Sequence, residues 1–227
     1  MGFNNLHPIE YVNTPNKYVA LTFDDGPDPI YTDKILDILG KYNAKATFFM
    51  VGKHVDLHYT VAKKVKLSGH EIGNHTFNHP NLKEINRKEI RRELKLTDKI
   101  LKRLTKNKCN LFRPPFGSYH DEALKIADKM GYKTILWTKS LDTRDWKKNR
   151  SWAQIYALVI DNIKPGSIVL FHDSSNNGNG DRSETVTALE KIIIQLTKEN
   201  YQFVTVSELL EKQKQKQKKK RPITRLL

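Results

Sequence analysis

Lys17-Tyr18-Val19-Ala20-Leu21-Thr22-Phe23-Asp24-Asp25-Gly26-Pro27 is the stretch around which this chain is organised. Tyr18 to Phe23 is almost wholly β-branched, aromatic or apolar, the composition of a buried strand. The run stops on two adjacent carboxylates and then a Gly-Pro turn. Asp often opens a solvated turn. Two carboxylates at the mouth of a buried strand are costlier, because like charges held together need a shared proton or a cation.

Downstream, the alternation of apolar strand and amphipathic helix recurs. A helix is expected over 32–42, with Ile35, Leu36, Ile38 and Leu39 on its apolar face. Ala46 to Val51 reads as a buried strand, 56–67 as a helix stopped by Ser68-Gly69, and His70 to Gly73 as a short strand. Asn86 and Glu89 form a capping pair for a long helix, along which Ile90, Leu94, Thr97, Leu101 and Leu104 recur at helical spacing. A strand over 110–113, a helix over 121–130 and a strand over 133–138 follow. A helix capped by Ser151 leads to the strand Ser167 to Phe171. A helix over 184–198, a strand over 202–204 and a helix from Ser207 close the pattern. About seven such alternations predict an α/β fold with a parallel sheet. No Gly-rich phosphate fingerprint follows the first strand, and polar clusters close nearly every strand. A distorted parallel (β/α) barrel of about seven strands is therefore expected, with its chemistry at the C-terminal mouth.

The 227 residues suffice for one domain with a proper core. The expected division is an N-terminal extension over 1–16, a catalytic domain over 17–210 and a basic tail over 211–227, disordered or a helix extension. Met1 to Asn16 has no apolar signal core, so the compartment stays open. Cys109 is the single cysteine, which excludes an intramolecular disulfide and reads as a small structural residue. The net charge of +15 is large, and the tail sets eight basic residues against Glu211. Such a tail suits an anionic wall polymer or membrane surface. A nucleic-acid partner is not expected, because the tail lacks interleaved aromatics and the chain lacks a binding motif.

Five clusters follow five strands: Asp24-Asp25, His75 with His79, Arg113, Asp142 with Asp145 and Trp146, and His172-Asp173. A parallel barrel would bring them to one mouth. One helical turn would set His75 and His79 on the same side, facing one cation, with Asp25 as an oxygen ligand. Two imidazoles and one carboxylate leave positions open for water and substrate, and zinc, cobalt, manganese and iron all suit them.

Thr22-Phe23-Asp24-Asp25-Gly26-Pro27, His75-Thr76-Phe77-Asn78-His79, Arg113-Pro114-Pro115-Phe116-Gly117, Asp142-Thr143-Arg144-Asp145-Trp146 and Leu170-Phe171-His172-Asp173 resemble, in order and spacing, the five motifs of the polysaccharide deacetylases, carbohydrate esterase family 4. The resemblance implies metal-dependent removal of N-acetyl groups from a polysaccharide such as peptidoglycan or chitin, by a monomer. An acetylxylan esterase or a silent wall-binding protein are the alternatives. The family usually works outside the membrane. By resemblance, Asp25, His75 and His79 hold one divalent metal, zinc first. Asp24 is the general base, oriented by Arg113; His172 is the general acid, hydrogen-bonded to Asp145. Leu170 lines the pocket for the acetyl methyl, and Phe116 and Trp146 shape the sugar groove. Phe116 departs from the family's usual Tyr. The backbone N–H at that position helps hold the oxyanion in the family, a role indifferent to the side chain. Asp142 reads as structural and Asp173 as a turn cap.

Overall fold

The computed structural model describes residues 7–106, 109–175 and 180–220, with side chains through residue 213. β1 (Tyr18–Asp24) is the centre of the sheet. β2 (Ala46–Met50) pairs along one side of it and β6 (Ile168–His172) along the other, while β7 (Gln202–Phe203) pairs with its first residues. β3 (Glu71–Asn74), β4 (Leu111–Phe112) and β5 (Lys133–Thr134) extend the sheet beyond β2. The order is β5-β4-β3-β2-β1-β6, with β7 on β1, and every strand pairing is parallel.

The register levels the strand ends. Asp24 lies opposite Phe49 on one side and His172 on the other; Met50 lies opposite Asn74, and Asn74 opposite Phe112. Side chains alternate faces along a strand. Val19, Leu21 and Phe23 face the helices, where Phe23 stacks between Phe48 at 5.0 Å and Phe171 at 5.6 Å. Ala20 faces inward, in a second cluster with Phe49, Leu111, Ile135 and Ile168. By parity Thr22 and Asp24 share its side, as Leu170 and His172 share that of Ile168. The first carboxylate of the opening stretch is thus delivered to the barrel interior by strand periodicity alone.

Around the sheet run α1 (Tyr31–Lys41), α2 (Gly52–Leu57), α3 (Tyr59–Leu67), α4 (Arg87–Thr105), α5 (Asp121–Lys129), α6 (Trp152–Asn162), α7 (Ser183–Lys198) and α8 (Val206–Lys220). Asn86 caps α4 through Lys88 and Glu89 N–H, and the Glu89 carboxylate accepts from Asn86 N–H, completing a capping box. α8 supplies Val206, Leu209 and Leu210 to the inner cluster, beside Tyr18 where β1 begins. Among the described residues no helix is long and apolar enough to cross a membrane. Residues 1–6 and 221–227, at the ends of the expected extension and tail, lie outside the described residues.

Three local expectations need correction. The helix expected over 56–67 is two helices, because the chain breaks from helical geometry at His58 and already begins turning at Gly52. The cause is distant in sequence: Gly52 and Lys53 N–H donate to the carbonyls of Thr76 and Phe77, so α2 starts where that loop fixes it. A Cβ on Gly52 would come within 2.7 Å of the Phe77 ring. The strand expected over 133–138 pairs with β4 only at its first two residues. Beyond them Ile135 bridges to Ile9, and Thr138 N–H donates to the Ile168 carbonyl, so this segment crosses the gap between β5 and β6. Along this segment the Ile135 and Leu136 carbonyls accept from Arg113. The third correction concerns His75 and His79, which occupy an irregular loop after β3 and not a helical turn.

Candidate active site

A cavity of about 450 Å³ opens at the C-terminal mouth. Eight of the ten site residues expected from sequence line it: Asp24, Asp25, His75, His79, Phe116, Trp146, Leu170 and His172. The other two, Arg113 and Asp145, stand behind the lining, each bonded to a residue that faces the cavity.

Asp24 ends β1, where Arg113 Nη1 donates to its Oδ1 at 2.7 Å and to Thr22 Oγ1 at 2.8 Å. Arg113 is fully buried, with Nε and Nη2 on the Ile135 and Leu136 carbonyls and its guanidinium 4.1 Å over the Phe49 ring. Burial lowers its pKa, an effect the Asp24 carboxylate opposes. A planar, five-donor cation with this many acceptors stays charged in a dry interior, where a lysine would not match the geometry.

Asp25 is turned away from strand conformation by a left-handed φ of 76°. Its Oδ1 sits 3.1 Å from His79 Nε2 and 3.5 Å from His75 Nε2. One ligand atom from each of Asp25, His75 and His79 lies within 4.8 Å of the others, and all three residues are buried. Burial pushes the Asp25 carboxyl up, but hydrogen bonds to both imidazoles and the charge of His172 outweigh it and hold the group well below the usual range. Burial lowers the His79 pKa, favouring the neutral ring, the form that ligates. His75 Nδ1 is 2.8 Å from the Arg113 carbonyl, which can only accept, so that nitrogen carries a proton and Nε2 is the atom turned towards Asp25 and His79 for ligation. The donor set therefore fits a divalent metal ion: ligating forms, convergent atoms and a buried floor.

The loop holding both histidines is tightly specified. Thr76 and His79 have φ of 67° and 59°, costly for residues with a Cβ. Four consecutive N–H groups each find a side-chain acceptor. Thr76 N–H uses Asn74 Oδ1, Phe77 and Asn78 N–H use Glu93 Oε2, and His79 N–H uses Thr76 Oγ1.

Opposite, His172 ends β6. Its Nδ1 lies 2.7 Å from Asp145 Oδ1, and its own N–H donates to Asp145 Oδ2 at 2.9 Å. Burial disfavours the imidazolium, but the Asp145 charge prevails and raises the His172 pKa to about 9. The same pairing, with Arg182 nearby, overcomes burial to lower the Asp145 carboxyl. The arrangement thus offers, in one cavity with the ligand cluster, a carboxylate backed by arginine and a protonated imidazole backed by carboxylate.

Phe116 and Trp146 are exposed large aromatics on the rim, and the Phe116 ring meets His79 edge-on at 4.6 Å. Sequence reasoning missed Trp137 and Arg182, and set aside Asp142; all three line the cavity. Trp137 was legible in principle, two residues beyond inward-facing Ile135 on the same parity. Arg182 follows a polar loop and carries no pattern that distinguishes it. Asp173, expected as a turn cap, is buried and bonds across the fold to Gly26 N–H and Thr32 Oγ1. Cys109 is buried, its thiol pushed up to about 12 by that burial, which suits a structural residue.

The polysaccharide deacetylase sequence profile matches residues 11–135. A peptidoglycan-N-acetylglucosamine deacetylase of Bacillus cereus is 45% identical over 209 residues, which cover 90% of this chain and 95% of that protein. The crystal structure of a peptidoglycan N-acetylglucosamine deacetylase superposes with a TM-score of 0.83 at 39% identity, covering 88% of this chain and 91% of the other. A family pseudoenzyme from Bacillus anthracis superposes with a TM-score of 0.82 at 35% identity, covering 92% of this chain and 70% of its own. With the profile matched over more than half its length and relatives that align almost end to end, this chain belongs to the polysaccharide deacetylase family, carbohydrate esterase family 4.

Proposed function

We propose that the protein is a metal-dependent hydrolase that removes N-acetyl groups from N-acetylglucosamine-containing polysaccharide, peptidoglycan first, and releases acetate. One observation carries the reading. Two charge pairs, Asp24 with Arg113 and His172 with Asp145, flank a buried cluster of metal-ligating type at the floor of one cavity. Asp25, His75 and His79 would hold the ion, zinc in the first place, with cobalt, manganese or iron able to replace it. Bound there, the ion would polarise the acetamide carbonyl and activate a water for attack.

The remaining work falls to the chain. Arg113 engages Asp24 Oδ1 and leaves Oδ2 on the side of His75, 3.7 Å from its Nε2. Asp24 accepts the proton of the attacking water at that oxygen. The Phe116 N–H donates to the developing oxyanion, a backbone role that the missing tyrosine hydroxyl does not alter. The amine is a poor leaving group unless protonated as the C–N bond breaks. His172 supplies that proton because Asp145 keeps it charged. Leu170 receives the acetyl methyl, while Phe116 and Trp146 bracket the sugar. The basic surface suits a monomer working on an anionic cell wall, with the basic tail over 211–227 as a further contact to wall polymer or membrane surface.

The test is acetate release from peptidoglycan, chitin oligomers and acetylated xylan, before and after chelation and after zinc or cobalt is returned. The reading expects release from the first two, lost with the metal and restored by it. Release from acetylated xylan alone would make the protein an O-deacetylase. No release from any substrate by metal-loaded protein would leave a silent wall-binding protein; the family does include a pseudoenzyme, the one from Bacillus anthracis.

A further inference from the structure

Two buried carboxylates outside the expected site hold its ligand-bearing turns from behind. Glu93 lies on the inner face of α4 and is buried. Its Oε2 accepts from Phe77 N–H at 2.9 Å and Asn78 N–H at 2.7 Å, and its Oε1 from Asn78 Nδ2 at 2.8 Å. Those residues lie between left-handed Thr76 and left-handed His79. Asp173 is buried just past β6. Its Oδ1 accepts from Gly26 N–H at 3.1 Å and its Oδ2 from Thr32 Oγ1 at 2.5 Å. Gly26 directly follows left-handed Asp25, and a Cβ on it would fall 2.1 Å from the Asp173 carboxylate.

A buried carboxylate is expensive unless its oxygens are satisfied. Among the described residues neither Glu93 nor Asp173 has a salt-bridge partner within 4.0 Å; Glu93 spends its oxygens on N–H groups of the histidine loop, and Asp173 divides its own between the Gly26 N–H and the Thr32 hydroxyl. Left-handed φ at residues with a Cβ persists only where the surroundings over-determine it. The ligand atoms meet only if Asp25 and His79 keep that conformation, since φ sets where each side chain points. Acceptors fixed on a helix and a strand end supply the constraint.

We propose that Glu93 and Asp173 are positioning residues for the metal cluster: from α4 and from the end of β6 they lock the His75–His79 loop and the Asp25 turn into the geometry in which three ligand atoms converge. The inference rests on the functional reading above and names two members of the same centre that neither touch substrate nor ligate.

The experiment measures zinc affinity by competition with a chromophoric chelator, alongside the thermal midpoint of the metal-free protein and amide exchange of the loop. The variants are Glu93→Gln, Glu93→Ala and Asp173→Asn, with Thr97→Ala as the control. Thr97 is buried one turn along α4 and bonds the Glu93 carbonyl, but gives the loop no backbone acceptor. The three carboxylate variants are expected to lose about 10–100-fold in zinc affinity, the range for outer partners of metal ligands. Thr97→Ala should stay within about twofold, however much it lowers the midpoint. In metal-free protein the Phe77 and Asn78 amides should exchange faster in Glu93→Gln than in wild type. Unchanged zinc affinity in the carboxylate variants would overturn the proposal, as would a loss matched by Thr97→Ala at equal destabilisation. If Glu93→Ala fails to fold, Glu93→Gln decides. A wild-type protein that takes up no zinc counts against the functional reading, and exchange at Phe77 and Asn78 then decides this inference by itself.

Discussion

Asp145→Asn isolates charge from shape. Asparagine keeps the size of the side chain and one acceptor oxygen, so the contacts now made with His172 and with Thr185 Oγ1 have a near-isosteric replacement. What disappears is the negative charge that lifts the His172 pKa to about 9 against burial. The gap from the usual 6.5 is worth about 3 kcal/mol of preference for the imidazolium, at 1.36 kcal/mol per pH decade. Without that charge, burial is opposed only by the Asp25 and Asp24 charges, and His172 falls back towards the usual 6.5. At pH 8 the protonated fraction would fall from about nine-tenths to about 3%, a loss of about thirtyfold in general-acid competence, with little loss near pH 5.5. The assay is kcat/KM for acetate release from an N-acetylglucosamine oligomer, measured from pH 5 to 10. Wild type should hold its rate to an alkaline limb set by His172, and the variant's limb should lie at least two pH decades lower. A bound cation repels the imidazolium and lowers both limbs together, so their separation survives. An unmoved limb in Asp145→Asn would refute the assignment of His172 as the acid held charged by Asp145. The linkage has a definite sign: because the folded-state pKa of His172 is raised, its contribution to stability is complete below about 6.5 and is lost as pH climbs through about 9.

Arg113→Ala should cost about 3–5 kcal/mol in denaturant unfolding, because it strands the buried Asp24 carboxylate; a loss under about 1 kcal/mol would mean Asp24 had found another partner. Asp24→Asn should keep zinc but release no measurable acetate, whereas loss of bound zinc would contradict its role as base. Phe23→Ala should lower stability by about 3–5 kcal/mol through the stack it forms with Phe48 and Phe171, read as a shift in the unfolding midpoint. Deleting 211–227 removes none of the inner-cluster residues of α8, which end at Leu210, so turnover of short oligomers should hold and a collapse would tie the tail to the catalytic fold.

The order of elements was legible because each rests on local rules: apolar strands, the Asn86 capping box, helix faces of period 3.6. The site chemistry was legible because its residues sit at strand ends, where a parallel fold carries them to one mouth. The early start of α2 was not, since it follows from backbone bonds to a loop more than twenty residues away, and the break at His58 carries no sequence signal. Nor did the pattern reveal how the histidines meet. Spacing of four suggested a helical turn, while the fold uses two left-handed residues braced by Glu93. Sequence by itself therefore determined the strand centred on Leu21, the candidates for ligating and titrating groups, and the inward parity of Asp24. Only the tertiary structure decided which carbonyls serve Arg113 and which acceptors hold the turns. Those depend on groups brought together across about 15 to 150 residues of chain, and side-chain type alone carries no record of such partners.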